Sequence, residues 1–355
     1  MKAWAVVENS APLAEIELPT PEPTGTQVLL AVERCGVCHS DLHVWEGAWD
    51  LGGGRRMTLR DRGVKLPLAM GHEIVGRVVA LGPEAAGQGV EIGDRRIVYP
   101  WIGCGTCPAC LAEQDNMCPT PASIGIFRHG GYATHVLAAR PRHLIAFDGL
   151  DPSLAATHAC SGITVLSAVR KVLPRPADSA IVILGAGGLG LNAIGVLRAL
   201  GHRATVVVET NPARREAALA AGASRSIDGN GTPEEITARI VAALGGSAQA
   251  VIDFVGAAAT ARAGFDALGK GGTLVNVGLF GGEVAIPLPL LAMRALRVLG
   301  SYVGTPQDLR DIVALGAAGA LAAVPITEVA MPQANAALMR LRHGQVTGRQ
   351  VLVAS

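Results

Sequence analysis

The chain has 355 residues, too many for one compact core, so two domains are expected. Half of its residues are hydrophobic and 17% are charged, which excludes a disordered chain and suits an α/β fold whose parallel strands are buried on both faces. Thirty basic residues stand against 29 acidic ones for a net charge of +1, and no basic run interleaves with aromatics, so nothing draws the surface to nucleic acid or anionic lipid.

From the N-terminus, Glu8 arrives too early for the apolar core of a signal peptide, and export is not expected. The first 150 or so residues carry short apolar runs broken by Pro and Gly, at Val28 to Val32, Ile74 to Leu81 and Arg96 to Val98, and read as strands and loops. Within them, residues 50–64 read as an exposed mobile loop. The uncharged stretch from Ser179 to Leu197 has the length of a membrane span. Its five glycines and Asn192 instead mark strand, turn and helix, so no transmembrane segment is expected.

From about Asp178, short strands alternate with Ala-rich helical segments: Ala180 to Leu184, Leu189 to Leu200, Ala204 to Val208, Ala213 to Ala221, Ala250 to Phe254 and Thr273 to Val277. Repeated βα units of this kind imply a doubly wound parallel sheet. After about Thr305 the regularity weakens, and Gly348 to Val353 reads as a closing strand that returns to the first domain. The division expected is residues 1–159 with 305–355 in one domain and 160–304 in the other.

The strand ending at Leu184 runs into Gly185-Ala186-Gly187-Gly188-Leu189-Gly190, a GxGxxG turn at the start of a helix. Gly185 permits the tight turn, Gly187 lets backbone approach a pyrophosphate, and Gly190 allows close helix packing. Glu209 ends the next strand nineteen positions past Gly190, where a carboxylate accepts from ribose hydroxyls and repels a 2′-phosphate. NAD is therefore favoured over NADP, with Arg214 and Arg215 close behind as counter-evidence.

Seven cysteines fall into metal-ligand spacings rather than a secreted disulfide pattern, which suits a reducing cytoplasm. Cys104, Cys107, Cys110 and Cys118 place four thiols within fifteen residues. Four thiolates leave no open coordination position, so a zinc there would be structural. Cys35, Cys38 and Cys160 lie apart, near Cys38-His39-Ser40-Asp41-Leu42-His43 and Gly71-His72-Glu73. Cys38, His72 and Cys160 would supply three ligands and leave a fourth position open. Spacing alone leaves His39 or His43 as alternatives to His72, and Cys35–Cys38 as a redox pair, although Gly36 does not favour the helix such a pair opens.

These segments, together with Cys160-Ser161-Gly162-Ile163-Thr164 and Gly348-Arg349-Gln350-Val351, resemble the zinc-containing medium-chain alcohol dehydrogenases over essentially the whole chain. The resemblance implies a GroES-like, mostly β catalytic domain and a Rossmann coenzyme domain, with two zinc ions per chain and NAD. It implies that Cys38, His72 and Cys160 bind the catalytic zinc, the two-cysteine, one-histidine set for which alcohol dehydrogenases are known. Glu73 would stand behind the metal, Asp41 would orient His72, Ser40 would bond the substrate oxygen and His43 would pass the proton outward. Thr164 and Gly278 would lie by the nicotinamide and Arg349 by the pyrophosphate. Without the resemblance, Asp41 reads as a turn former and His43 as a surface histidine.

The expected substrates are primary or secondary alcohols and their carbonyl partners. Trp49 and Trp101 are candidate pocket walls that would favour aromatic ones, although both also suit core packing. A polyol, sugar or amino-alcohol dehydrogenase is the strongest alternative. A zinc-free NADPH reductase would lack the ligand set, and a non-enzymatic zinc module would leave the glycine turn without purpose. The family likeness also implies a homodimer or homotetramer, with the strand near Arg297 to Val303 pairing across a twofold axis.

Overall fold

The computed structural model describes residues 1–321 and 324–354. Two sheets organise them. The strands Ile181–Leu184, Thr205–Glu209, Arg225–Asp228, Ala248–Asp253, Leu268–Asn276 and Arg297–Gly300 form an all-parallel sheet, in which Ile181–Leu184 lies between Thr205–Glu209 and Ala248–Asp253. Every residue of Ile181–Leu184 and Thr205–Glu209 is buried, as expected of strands covered on both faces. Alternate side chains go to opposite layers. Val182, Leu184, Val206, Val208 and Val251 pack with Ile236 and Ile240 of the helix Pro233–Leu244, while Ile181, Ile183, Val207 and Ile252 join the main core with Ala193, Ile194 and Leu197.

The second sheet is built on the strand Val28–Val37, which pairs antiparallel with Glu73–Leu81, with His135–Ala138 and with the closing strand Arg349–Val353. Gln350 stands opposite Val37 and Leu352 opposite Cys35, so the chain does return to its first strands, as the sequence suggested. Arg349–Val353 also pairs parallel with Ile326–Ala330.

Local chemistry fixes the helices, including several that the sequence reading passed over. Thr232 and Glu235 form a capping box around Pro233, and Thr305 and Asp308 do the same around Pro306, opening the helices Pro233–Leu244 and Pro306–Ala317. The weakened regularity read after Thr305 therefore conceals two helices, Pro306–Ala317 and Ala334–Arg342.

Residues 50–64 depart from the expected loop. Ala48–Gly52 and Arg55–Thr58 form an antiparallel hairpin. It leans on the segment that follows the strand Leu268–Asn276: Arg55 Nη2 donates to Glu283 Oε2 at 2.9 Å, and a Cβ on Gly281 would meet the Asp50 Cβ at 2.9 Å.

Candidate metal and dinucleotide site

Three separate elements converge at the first cluster. Cys38 follows the strand Val28–Val37 and caps the helix His39–Glu46; His72 precedes and Glu73 opens the strand Glu73–Leu81; Cys160 lies in a π-helical turn, His158–Gly162. Such turns recur at functional sites because they displace a side chain from the regular helical surface. One ligand atom from each of Cys38, His72, Glu73 and Cys160 lies within 4.8 Å of all the others, and all four residues are buried.

The donor set fits zinc. The Cys38 and Cys160 sulfurs are 3.9 Å apart, while two thiolates at about 2.3 Å on a tetrahedral ion would be about 3.8 Å apart. His72 Nε2 is fully buried and has no hydrogen-bond partner among the described residues, a costly state that a metal bond would relieve. The two sulfurs share one hydrogen bond, which holds the Cys38 thiol well below its usual range and the Cys160 thiol above it.

Asp41 ties this cluster together. Its Oδ1 lies 3.1 Å from His72 Nδ1, and its Oδ2 accepts from the Cys38 amide at 2.9 Å and the Tyr132 hydroxyl at 3.3 Å. One carboxylate thus caps the ligand-bearing helix and faces the histidine ring, the usual arrangement around a metal-binding imidazole. The helix does begin at Cys38, so Gly36 does not disfavour it as expected; Gly36 ends in strand instead. Its missing side chain serves Glu73, whose Oε2 would lie 1.9 Å from a Cβ at residue 36. Cys35 is buried outside the cluster.

Burial pushes the Glu73 carboxyl up to about 7, against the opposing pull of Arg349. Arg349 donates to Glu73 Oε2, while its Cδ packs on the glycine turn, 2.9 Å from where a Cβ on Gly188 would sit. One guanidinium therefore bridges the metal cluster and the dinucleotide turn, a link that neither motif reveals.

The turn itself is as its glycines require. Gly185 has φ +91°, a Cβ on Gly190 would meet the Gly185 carbonyl at 2.0 Å, and Gly187 has open space before the helix Gly188–Ala199. Leu189 packs against the main core. Glu209 is buried and accepts from the amides of Ala186 at 2.8 Å and Asn211 at 2.9 Å. Arg214 donates to the Gly344 and Val346 carbonyls, and Arg215 to the Glu209 and Thr210 carbonyls and to Asp228. Both guanidinium groups therefore already have protein acceptors. Thr164 Oγ1 is buried without a hydrogen-bond partner among the described residues, and Gly278 packs on Val255 and Gly256.

Ser40 and His43 share the helix that Cys38 opens, both half-buried, and burial lowers the His43 pKa. The His43 ring lies 5.7 Å from that of Trp49 on the hairpin. Trp101 is almost wholly buried, donates to the Ala159 carbonyl at 2.9 Å and packs its ring 5.2 Å from His72. Tyr302, which the sequence reading missed, stands edge-on to Trp101 at 5.8 Å.

Cys104, Cys107, Cys110 and Cys118 form the second cluster, again within 4.8 Å of one another. Amide and hydroxyl donors from Thr106 and the Cys107 amide draw the Cys104 thiol down to about 5, whereas burial drives Cys110 up to about 12. Gly103 must be glycine, because a Cβ there would meet the Cys110 sulfur at 2.6 Å.

The alcohol dehydrogenase GroES-like domain model matches residues 24–148, and the zinc-binding dehydrogenase model matches residues 188–318. A protein from Sulfurisphaera tokodaii named NAD-dependent alcohol dehydrogenase is 36% identical, with 99% of this chain and 100% of that one covered. The chain belongs to the zinc-type medium-chain alcohol dehydrogenases. The family fold is the GroES-like and Rossmann pair that the motifs implied. The crystal structure of the alcohol dehydrogenase from Aeropyrum pernix superposes with a TM-score of 0.89 at 28% identity, covering 99% of this chain and 100% of that one. A second branch is similar too: a Saccharolobus solfataricus protein named D-arabinose 1-dehydrogenase (NADP(+)) is 31% identical over 99% of this chain and 97% of its own. Among the described residues, no helix is long and apolar enough to cross a membrane.

Proposed function

We propose that this zinc-type dehydrogenase oxidises primary and secondary alcohols reversibly to aldehydes and ketones, using NAD. The observation that carries the reading is the convergence of Cys38, His72 and Cys160 on one buried point, linked through Glu73 and Arg349 to the dinucleotide turn. We divide the chain into a catalytic domain, residues 1–159 with 305–355, and a coenzyme domain, 160–304.

Cys38, His72 and Cys160 would hold the catalytic zinc, which when bound supplies a Lewis acid that acidifies a hydroxyl. NAD, when bound, supplies the hydride acceptor. Asp41 keeps the His72 ring in place, and Ser40 takes the hydroxyl proton and hands it toward His43, whose pKa is lowered by burial. Arg349 holds Glu73 and the pyrophosphate side of the turn together. Gly185, Gly187, Gly188, Leu189 and Gly190 cradle the phosphates, Glu209 receives the ribose, and Thr164 and Gly278 border the nicotinamide. Trp49 and Trp101 wall the alcohol pocket. Cys104, Cys107, Cys110 and Cys118 would hold a second, structural zinc.

The exposed edge strand Arg297–Gly300, with Leu288, Met293, Val298 and Leu299 exposed around it, supports pairing with a second copy across a twofold axis. A dimer, or a tetramer made from two, follows. Seven unpaired cysteines suit a reducing cytoplasm. A sugar or polyol substrate is the second reading, supported by the relative named for D-arabinose. The deciding experiment is an NADH-absorbance screen of primary, secondary, aromatic, polyol and sugar substrates, with zinc measured per chain. Turnover of simple alcohols by protein holding two zinc ions is expected; turnover of sugars alone would overturn the first reading.

A further inference from the structure

Asp253 ends the strand Ala248–Asp253 and is fully buried, yet it has no part in the chemistry described above. Its carboxylate is saturated by local donors. Oδ1 accepts from the Val255 amide at 2.9 Å and the Gly256 amide at 3.0 Å, and Oδ2 accepts from the Thr260 hydroxyl at 2.7 Å. No ion pair reaches it among the described residues, and burial raises its pKa.

The turn it organises is wedged between two parts of the cofactor cleft. On one side a Cβ on Gly185 would meet Val255 Cγ2 at 2.7 Å, and the Phe254 amide donates to the Leu184 carbonyl at 3.0 Å. On the other side a Cβ on Gly256 would lie 1.9 Å from the Gly278 carbonyl oxygen, so two backbones touch directly. The Asp253 carbonyl receives the Val277 and Gly278 amides at 2.9 and 3.0 Å, and the carbonyls of Val255 and Gly256 receive those of Phe280 and Gly281. Asp253 therefore governs the path of residues 277–281 with both its backbone and its side chain. These residues lie at the carboxyl ends of the parallel strands, where doubly wound folds bind their ligands.

We propose that Asp253 is the positioning residue of the nicotinamide half of the cofactor cleft, holding the 254–256 turn so that residues 277–281 keep a fixed face toward the ring. The inference rests on the reading above that Gly278 borders the nicotinamide. It also predicts an asymmetry: the adenosine half is held by Glu209 and the helix start, and the 254–256 turn meets the glycine turn only through the Val255 side chain and the Phe254 amide, neither of which the Asp253 carboxylate bonds.

Two ligands separate these halves: NADH, and ADP-ribose, which lacks the nicotinamide. In zinc-loaded Asp253→Asn, Thr260 faces an amide instead of an acceptor. The NADH Kd measured by calorimetry should rise about tenfold, a change of about 1.4 kcal/mol, while the ADP-ribose Kd stays within roughly twofold. Thr260→Val removes the same bond from the other side, together with the hydroxyl's bonds to the Ala257 amide and carbonyl, and should show the same split; it decides the matter should Asp253→Asn not fold. Equal weakening of both ligands would reduce Asp253 to a support of the whole sheet end, and no change in either would leave it without a cofactor role; both results overturn the proposal. If the wild-type protein bound neither ligand, the dehydrogenase reading itself would fail, a distinguishable outcome.

Discussion

The guanidinium of Arg349 lies on the carboxylate of Glu73, joining the closing strand of the chain to the residue that follows His72. Both groups are buried, so neither tolerates loss of the other. Arg349→Leu should lower stability by up to about 3 kcal/mol by stranding a buried acid, and should weaken NAD binding. Adding Glu73→Gln should recover most of the stability but not the NAD affinity. Strictly additive losses in denaturant titrations of the two single variants and the double would contradict this coupling.

His72→Ala should abolish alcohol turnover while leaving a folded protein that still binds NADH. Metal analysis should then find one zinc per chain in place of two. Retained turnover would remove His72 from the ligand set.

The four-cysteine cluster is predicted to act on stability alone. In Cys107→Ser, loss of one thiolate should lower the melting temperature and the soluble yield, with the remaining soluble protein keeping its KM for alcohol. An unchanged melting curve with full zinc content would count against a structural ion there.

Glu209 accepts from the Ala186 amide as well as standing where the ribose is expected. Glu209→Gln keeps an acceptor for that amide but removes the charge that repels a 2′-phosphate, so the NAD to NADP ratio of kcat/KM should fall by about tenfold or more. An unaltered ratio would separate Glu209 from the ribose.

His129 Nδ1 accepts from the Ala69 amide at 3.2 Å, which requires an unprotonated nitrogen, and burial lowers its pKa below 6.5. Its contribution to stability is complete above the unfolded-state value and is lost as pH falls from there through the lower folded-state value. The loss should not exceed about 1 kcal/mol, the usual worth of a neutral hydrogen bond. His129→Gln supplies an acceptor that does not titrate, so its denaturation midpoints at about pH 7.5 and about pH 5.5 should differ less than those of the wild type.

Much of this was legible because glycine and cysteine leave patterns tied to backbone geometry and ligand count. Gly185, Gly187 and Gly190 announced the turn, and the spacing from Cys104 to Cys118 announced a closed cluster. The hairpin Ala48–Gly52/Arg55–Thr58 was not legible, because Gly52, Gly53 and Gly54 look like loop until Glu283 from a distant segment packs against Gly52 and Gly53. The Arg349–Glu73 link and the role of Gly36 escaped for the same reason: each depends on a partner far along the chain. The helices Pro233–Leu244 and Pro306–Ala317 were legible after all, since Thr232-Pro233-Glu234-Glu235 and Thr305-Pro306-Gln307-Asp308 carry their capping boxes openly.

The closing strand Arg349–Val353 inserts beside Val28–Val37, whose residues leave the ribosome some three hundred positions earlier. Every strand of the parallel sheet is synthesised between those two partners. The dinucleotide-binding half is therefore complete on the nascent chain while the half bearing Cys38 and His72 still lacks a neighbour for its central strand, and ordered assembly during translation is built into the topology. A stop placed before residue 349 would remove both that neighbour and Arg349.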